Sequence, residues 1–209
     1  MHPLQNALAA INEQLESKPP EAIISWAAKL ARRPVVTTSF GTYSAALLHA
    51  VTRINRQVPV IWCDTGYNTS ATYRHVETLT ALLELNLDIF TPSLTTAYIE
   101  NMVGKPEPDN PNHDLFARKV KLEPFERAFK KYDPDVWFTN LRKGQTHYRD
   151  SIDILSFSKE GILKVSPFYH YSDAQLMDYI KTHDLPLEFD YYDPVKALSH
   201  RECGIHFLK

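Results

Sequence analysis

Short apolar segments alternate with stretches of helical periodicity along most of this 209-residue chain. The apolar segments are rich in β-branched and aromatic residues, which favour strands. The predicted strands are 35–38, 58–62, 87–90 and 136–139. Because such alternation of strands and helices is typical of parallel sheets, we predict an α/β fold whose twisted parallel sheet carries helices on both faces.

Four stretches place their apolar residues on one helical face. The predicted helices are 4–16, 21–32, a helix that contains Ala46, Leu47, Ala50 and Ile54, and a helix near 69–84. No linker divides the chain, so we expect a single domain over 1–209, with N-terminal helices in 1–33. The periodicity fades after Asp190, which predicts a mobile tail over 191–209.

Composition and charge narrow the class of protein. Hydrophobic residues make up 44% and charged residues 23% of the chain, and the formal net charge is -2. With this balance, neither nucleic acid nor an anionic membrane should attract the chain as a whole. The sequence shows no secretory signal and no apolar stretch that could span a bilayer, which predicts a soluble cytoplasmic protein.

The sequence contains two cysteines, Cys63 and Cys203. In a reducing compartment both are expected to be thiols rather than a disulfide. Two thiolates cannot supply the four ligands of a cubane iron–sulfur cluster, so we expect no such cofactor. Cys63 ends an apolar strand and is interpreted as a buried structural thiol, whereas Cys203 lies in a polar segment near the end of the chain.

The loop after the first predicted strand contains a candidate phosphate cradle. Ligands of open parallel sheets bind at the carboxyl ends of the strands, and there the first strand is followed by Ser39, Phe40, Gly41 and Thr42. The next helix offers unpaired backbone N–H groups, and Gly41 allows a ligand to approach the backbone closely. An ordinary capped turn between a strand and a helix explains the same residues equally well.

Two further loops should lie at the same edge of the sheet. Asp64, Thr65 and Gly66 follow the second strand, where Asp64 could bind a nucleotide or belong to an ordinary Asp–Gly turn. A basic loop follows the fourth strand, and its arginines suit phosphate or sulfate, although a solvated surface loop has a similar composition. The candidate anion-binding residues of this basic region are Arg142, Lys143, Gln145, Arg149, Lys164 and Arg201.

The segment 200–206 allows three interpretations. Arg201 and the neighbouring histidines favour the reactive thiolate form of Cys203, which makes this cysteine a candidate nucleophile. His200, Cys203 and His206 could instead bind zinc, although a fourth ligand is not evident. The third interpretation is an inert tail.

The sequence resembles the phosphoadenylyl-sulfate (PAPS) reductase family. The family's C-terminal signature, Glu-Cys-Gly-Leu-His, is similar to Glu202-Cys203-Gly204-Ile205-His206. Further motifs of the family have counterparts in the same order over about residues 30–209. These counterparts are Ser39-Phe40-Gly41 with Leu48-His49, Asp64-Thr65-Gly66-Tyr67, Thr72-Tyr73-Arg74, Lys121-Leu122-Glu123-Pro124-Phe125, the stretch 137–145 and Lys164-Val165-Ser166-Pro167.

The resemblance implies a fold and a reaction. The fold is the adenine-nucleotide α-hydrolase-like (PP-loop) fold with a flexible C-terminal tail. In the family, the tail cysteine attacks the sulfur of PAPS, adenosine 3′,5′-bisphosphate leaves, and thioredoxin or glutaredoxin releases sulfite from the cysteine S-sulfonate. The resemblance therefore makes Cys203 the nucleophile, with Glu202 and His206 as further catalytic residues. It also implies a cytoplasmic homodimer of sulfate assimilation with no bound cofactor, whose sheet-edge loops bind the sulfonucleotide.

The sequence departs from the family pattern before the tail and in the basic loop. The family's Gly-Leu-Arg-Arg is replaced by Asn140-Leu141-Arg142-Lys143, and its Gly-Tyr-x-Ser-x-Gly-Asp stretch is absent. The lack of paired cysteines resembles the iron-free PAPS branch, but an adenylyl-sulfate reductase without a cluster is an open alternative. A second open alternative is a PP-loop protein that only binds nucleotide, or one that acts on another adenylyl substrate without using Cys203.

Overall fold

The computed structural model describes residues 4–107 and 109–196, which contain a six-stranded sheet flanked by helices. The strands are β1 Pro34–Thr38, β2 Val60–Cys63, β3 Leu87–Phe90, β4 Val136–Phe138, β5 Leu155–Phe157 and β6 Leu163–Val165. The helices are α1 Leu8–Glu16, α2 Pro20–Ala28, α3 Ser44–Ile54, α4 Ser70–Leu83, α5 Thr96–Val103, α6 His113–Ala117, α7 Glu123–Tyr132, α8 His147–Asp150 and α9 Asp173–Thr182. A π-helical turn, Arg118–Leu122, joins α6 to α7, and short 3₁₀ turns cover Gln5–Ala7 and Pro194–Lys196.

The strand order across the sheet is β3-β2-β1-β4-β6-β5. Strands β1 to β4 and β6 are parallel, which confirms the predicted α/β fold. Strand β5 differs from the prediction because it pairs antiparallel with β6 at the edge of the sheet. The connection 158–162 between these two strands is too short for a crossover, and a short connection can join only antiparallel neighbours.

The side chains of each strand alternate between two packed faces, as the strand pleat requires. On one face, Val36 and Phe138 pack in a core shared with helices α1 to α4 and α9. On the other face, Val35 and Trp137 pack against α7. Helices therefore cover both faces of the sheet, as predicted, and the carboxyl ends of β1, β2 and β4 stay open at one edge.

The predicted elements of the first half are found with small shifts of their ends. The strand expected at 58–62 begins at Val60, and the helix expected at 21–32 ends at Ala28. Helices α5 to α9 and the three-residue strands β5 and β6 were not predicted. Within the ranges that the structure describes, no helix has the length and apolar character needed to cross a membrane.

Candidate functional site

A cavity of about 350 Å³ opens at the carboxyl ends of β1, β2 and β4. Thr38, Cys63 and Thr139 lie at or just beyond these three strand ends and contribute to its wall. This is the sheet edge where the sequence places its candidate loops, and where ligands of open α/β sheets bind. The α3 N-terminus, the π-helical turn and the basic loop complete the wall.

The loop after β1 forms one side of this cavity. Ser39, Gly41 and Thr42 line it, whereas the Phe40 side chain is completely buried in the core and packs edge-on against Trp62. Phe40 has a φ of 52°, and its backbone N–H donates to Thr38 Oγ1 at 3.0 Å. The Phe40 side chain, which was predicted to bind substrate, therefore packs in the core and does not line the cavity.

Two polar atoms in the cavity wall have no hydrogen-bond partner among the described residues. One is Ser44 Oγ at the start of α3, on a side chain only 7% exposed, and the other is Asn140 Oδ1. Both residues line the cavity, and the Asn140 amide nitrogen donates to the Tyr43 carbonyl at 3.3 Å. Because buried polar atoms are normally paired, this wall is suited to a polar ligand.

Arg142 and Arg149 bring the predicted positive charge to the cavity. Arg142 is buried, donates to Asp173 Oδ1 at 2.6 Å, and lies over the Tyr43 ring at 5.2 Å. Arg149 is also buried, and it donates to the side chain of Gln145, which lines the cavity too. Fixed guanidinium groups of this kind suit phosphate and sulfate.

Two other predicted basic residues do not line the cavity. Lys143 is exposed, and its backbone N–H donates to the Tyr169 carbonyl at 2.9 Å. Lys164 is 1% exposed on β6, where it is paired in register with Trp137 and donates to the Tyr148 hydroxyl at 2.8 Å. Lys164 therefore lies beneath the basic loop and supports Tyr148 on α8.

The loop after β2 forms an Asp–Gly turn outside the cavity wall. Asp64 Oδ1 accepts from the Gly66 backbone N–H at 2.9 Å, from the Asn68 amide at 2.7 Å and from the Tyr73 hydroxyl at 3.0 Å. Burial, together with the Asp64 carboxylate, raises the pKa of Tyr73 to about 12, so this hydroxyl stays a donor. Buried Thr65 also caps the turn, by accepting from the Tyr67 backbone N–H at 3.3 Å. Asp64, Thr65 and Gly66 were predicted to bind substrate. In the structure they form hydrogen bonds within their own loop and do not line the cavity.

A segment near the end of the described chain, residues 190–195, crosses this edge of the sheet. We call it the strap. The Asp190 carbonyl accepts from Thr69 Oγ1 at 2.7 Å, and the Tyr191 ring would lie 3.4 Å from a Cβ atom placed on Gly41. Tyr191 and Asp193 line the cavity. The strap covers one side of the candidate cradle.

Lys121 and Asp193 form a buried ion pair that sequence reasoning did not assign to the site. The Lys121 Nζ atom lies 2.5 Å from Asp193 Oδ2, and the two side chains are 8% and 5% exposed. Lys121 comes from the π-helical turn and lines the cavity. The available signal was the resemblance of Lys121-Leu122-Glu123-Pro124 to a family motif, which gives no partner for the lysine.

The start of the predicted mobile tail is packed. Val195 is buried in a cluster with Ile99, Val103 and Phe116, and its backbone N–H donates to Asp193 Oδ1 at 3.1 Å. The predicted site residues Arg201, Glu202, Cys203 and His206 lie outside the described residues. The same holds for the possible zinc ligands His200, Cys203 and His206. In the part of the chain that the structure does describe, no group of three or more His, Cys, Asp and Glu side chains is arranged to hold a metal ion.

The cavity is chemically suited to a polyanion. Lys121, Arg142 and Arg149 reach it from three different elements, and the α3 N-terminus adds backbone N–H groups beside the hydroxyls of Ser39 and Thr42. Asp193 is the carboxylate in this wall, and it is paired with Lys121. Apolar strand residues form the floor, which suits the ring of a nucleotide.

Comparisons with known proteins identify the family of this chain and agree with its fold. A family model for the phosphoadenosine phosphosulfate reductase domain matches residues 33–192. A phosphoadenosine 5′-phosphosulfate reductase of Thiocapsa roseopersicina is 36% identical over 188 residues, which cover 89% of this chain and 78% of that protein. Another, of Proteus mirabilis, is 34% identical over 200 residues, which cover 95% of this chain and 80% of that protein.

Solved structures show the same fold. The PAPS reductase from Candida auris, in a phosphate complex, matches with a TM-score of 0.77 at 24% identity over 90% of each chain. The NH3-dependent NAD synthetase from Campylobacter jejuni matches with a TM-score of 0.55 at 14% identity, over 83% of this chain and 74% of that one. These likenesses confirm the PP-loop fold. Because the family model spans most of the chain and close relatives match it almost end to end, this chain belongs to the phosphoadenosine phosphosulfate reductase family.

Proposed function

We propose that this protein reduces PAPS to sulfite and adenosine 3′,5′-bisphosphate with Cys203 as the nucleophile. Its family makes it an oxidoreductase of sulfate assimilation that acts on the sulfur group of a sulfonucleotide. In the first half-reaction the Cys203 thiolate bonds to the sulfonate sulfur, the bond from that sulfur to the 5′-phosphate oxygen breaks, and the bisphosphate leaves. The product on the enzyme is a cysteine S-sulfonate.

The second half-reaction needs a dithiol reductant, which we propose is thioredoxin or glutaredoxin. One thiolate of the reductant attacks the Cys203 sulfur, and sulfite leaves with the electron pair of the broken S–S bond. The second thiol of the reductant then opens the mixed disulfide and restores the Cys203 thiolate. The reductant is oxidised to a disulfide, and it supplies the two electrons that reduce the sulfonate.

The observation that carries the proposal is the convergence of Lys121, Arg142 and Arg149 on one cavity at the carboxyl edge of the sheet. Charge develops on the departing phosphate in the first half-reaction, and fixed cations stabilise such charge without reorganising at the moment of reaction. The α3 N-terminus and the hydroxyls of Ser39 and Thr42 line the same cavity, and we propose that they hold the remaining phosphate oxygens.

The course of the strap supports a role for Cys203 at this cavity. Asp193 lines the cavity, and Cys203 follows it by ten residues in the sequence. An extended chain advances about 3.3–3.6 Å per residue, so this length is ample to reach any part of a cavity of this size. Glu202 and His206 would arrive with Cys203, and Arg201 would add to the positive charge around the sulfonucleotide.

Two features favour PAPS over adenylyl sulfate. The cavity offers several buried cations, which suits a substrate with an additional 3′-phosphate, and the curated relatives named above are phosphoadenosine 5′-phosphosulfate reductases. An adenylyl-sulfate reductase without an iron–sulfur cluster is the alternative on the same chemistry. We further propose that the protein works in the cytoplasm as a homodimer without a bound cofactor.

The test uses two reduced proteins without added thiol, the natural chain and the variant Cys63→Ser, whose one remaining cysteine is Cys203. Each is mixed with excess PAPS or adenylyl sulfate, and released nucleotide and intact protein mass are measured. We expect one equivalent of adenosine 3′,5′-bisphosphate from each, and a sulfonate adduct on Cys203 in the variant. Cys203→Ser should release none. Faster release from adenylyl sulfate would assign that substrate, and no release from either nucleotide would exclude a reductase.

A further inference from the structure

Asn140 lines the cavity two residues beyond the end of β4, although sequence reasoning did not assign it to the site. Its amide nitrogen donates to the Tyr43 carbonyl at 3.3 Å. Because a carbonyl oxygen can only accept, this contact fixes which end of the Asn140 amide carries the nitrogen. The other end, Oδ1, is buried and has no hydrogen-bond partner among the described residues. Asn140 therefore offers the cavity an acceptor that none of the described residues uses.

The polar groups at the neighbouring strand ends are already engaged or accept only weakly. Thr38 Oγ1 accepts from the Phe40 backbone N–H at 3.0 Å. Thr37 Oγ1 accepts from the Trp137 indole N–H at 2.8 Å. Cys63, interpreted from its sequence context as a buried structural thiol, is instead half-buried and lines the cavity, but a thiol sulfur is a weak acceptor. Compared with these groups, Asn140 Oδ1 is the strong acceptor that remains open.

The position of Asn140 indicates which part of a nucleotide would donate to it. Tyr43, to which Asn140 is bonded, directly precedes α3, and Arg142 lies over the Tyr43 ring at 5.2 Å. We propose above that Arg142 and the α3 N-terminus bind phosphate, but an ionised phosphate has no proton to donate to Oδ1. In PAPS the ribose carries both the 5′- and the 3′-phosphate groups, so the sugar lies beside any phosphate that is bound here. Its one free hydroxyl is the 2′-hydroxyl.

We propose that Asn140 selects ribonucleotides by accepting a hydrogen bond from the ribose 2′-hydroxyl, an inference that rests on the proposed function. Asn140 is then a specificity-determining residue and takes no part in the transfer of the sulfonate. A 2′-deoxy nucleotide in the same position would leave Oδ1 buried without a partner. A site built to bind a hydroxyl discriminates against an analogue that lacks it, because the orphaned polar group adds its own cost to the lost hydrogen bond.

The experiment compares three nucleotides by calorimetric titration of the full-length reduced protein at fixed ionic strength and about pH 8, where phosphate monoesters are ionised. They are adenosine 3′,5′-bisphosphate, its 2′-deoxy analogue, and the inosine analogue, in which an oxygen replaces the adenine amine. We expect the natural chain to bind the 2′-deoxy analogue about tenfold more weakly than the parent nucleotide. In Asn140→Ala this ratio of Kd values should fall to about threefold or less, whereas the ratio for the inosine analogue should not change.

The matched control is Asn86→Ala, which removes an exposed amide outside this cavity that donates to the Gln57 carbonyl at 3.0 Å. This control should keep the full preference for the 2′-hydroxyl. Ratios of Kd values separate recognition of the sugar from general damage, because loss of the bond to Tyr43 alone would weaken all three nucleotides alike. The ratio in the natural chain needs no variant, so the inference stays testable even if Asn140→Ala is unstable.

Equal affinities of the natural chain for the parent and 2′-deoxy nucleotides would overturn the role of Asn140. A preference that persists undiminished in Asn140→Ala would do the same. If the ratio for the inosine analogue changes in the variant instead, the donor is the adenine amine and the assignment to the ribose is wrong. Each of these outcomes leaves the proposed function intact, since release of bisphosphate from PAPS tests it separately. A natural chain that binds none of the three nucleotides would overturn the proposed function and this role together.

Discussion

At the scale of single residues, the charges of the cavity are held in place by their neighbours. Arg142 lies between the Tyr43 ring and the Asp173 carboxylate, and its Nη1 atom also donates to the Tyr171 carbonyl at 3.3 Å. A guanidinium with contacts on several sides has few alternative positions, so little ordering is needed when an anion binds. The same property makes such groups effective at stabilising charge that develops during a reaction.

Buried His75 on α4 predicts a loss of stability in mild acid. Burial lowers its pKa from the ordinary value of 6.5, and the more weakly acting Glu188 opposes this shift. The unfolded chain therefore binds a proton at a higher pH than the folded one does, and stability falls as the pH drops below about 6.5. We expect His75→Leu to make the free energy of unfolding less dependent on pH in this range.

The measurement for His75 is urea unfolding at about pH 8 and about pH 5.5, values on either side of the ordinary histidine pKa. At the higher pH the variant should be at least as stable as the natural chain, since His75 Nε2 is buried without a hydrogen-bond partner in the described structure. Replacement of the exposed His147 by Gln is the control. Equal pH dependence in the natural chain and His75→Leu would contradict the prediction.

Alanine substitutions at Gly66 and Gly161 distinguish the energetic cost of backbone strain from that of a steric clash. Both have positive φ, 79° and 84°, a region that costs an L-residue about 1 kcal/mol or more. A Cβ atom on Gly161 would have no neighbour within 4 Å, whereas one on Gly66 would lie 2.8 Å from Thr96 Cγ2. We expect Gly161→Ala to lower the free energy of unfolding by about 1 kcal/mol, and Gly66→Ala to lower it clearly further.

The double variant Gly66→Ala with Thr96→Ser provides the control, because serine lacks the clashing methyl group. Measured by urea unfolding, the double variant should lose only the free energy that backbone strain costs, about 1 kcal/mol, as expected for Gly161→Ala. If Thr96→Ser does not recover any of the loss, the contact between the Gly66 turn and the start of α5 is not the cause.

At the scale of elements, the π-helical turn 118–122 brings Lys121 to the cavity. Helix α7 begins with Glu123 and Pro124, and a proline in a continuous helix clashes with the carbonyl four positions earlier, here that of Val120. The wider π turn removes this conflict and allows the chain to continue from α6 into α7. Such turns are frequent at functional sites, and this one carries the lysine that holds the strap.

Loss of the Asp193 carboxylate should detach the strap from this turn. Removing one partner of a buried ion pair leaves an uncompensated charge, so we expect Asp193→Asn to lower the free energy of unfolding by about 3 kcal/mol. The matched control is Glu84→Gln, which breaks the pair with Arg56 on the surface, where the side chains are 69% and 71% exposed. This control should cost less than about 1 kcal/mol. Similar losses in both variants on urea unfolding would contradict the role of Asp193.

The elements also show what a single sequence can and cannot reveal. Strands β1 to β4 and helices α3 and α4 follow from hydrophobic periodicity, and so does the edge at which the loops meet. Strands β5 and β6 are as short as β4, but each has a polar residue between two apolar ones, so neither forms the continuous apolar run that marks β4. The pairing of Lys121 with Asp193 joins residues 72 positions apart, and no local pattern records such a contact.

At the scale of the whole molecule, recognition of an anion has to be local. The formal net charge is -2, so the chain as a whole does not attract a polyanion. The positive groups are instead gathered from the basic loop, α8 and the π-helical turn into one cavity. Ion pairs that are buried are screened by salt much less than exposed ones, so binding should retain part of its strength at moderate ionic strength.

Thermal stabilisation by a product nucleotide tests binding at the cavity without requiring the reaction to take place. A ligand that binds only the folded chain adds about 2.7 kcal/mol at a hundredfold excess over its Kd, which raises the Tm by several degrees in a protein of this size. We expect adenosine 3′,5′-bisphosphate to raise the Tm more than adenosine 5′-monophosphate does at equal concentration. We expect this difference because the proposed site offers cationic side chains to the additional 3′-phosphate. Arg149→Ala should reduce the rise, whereas Arg56→Gln, outside this cavity, should not change it. Equal rises with both nucleotides would mean that the 3′-phosphate is not recognised, and adenylyl sulfate would then be the substrate to test.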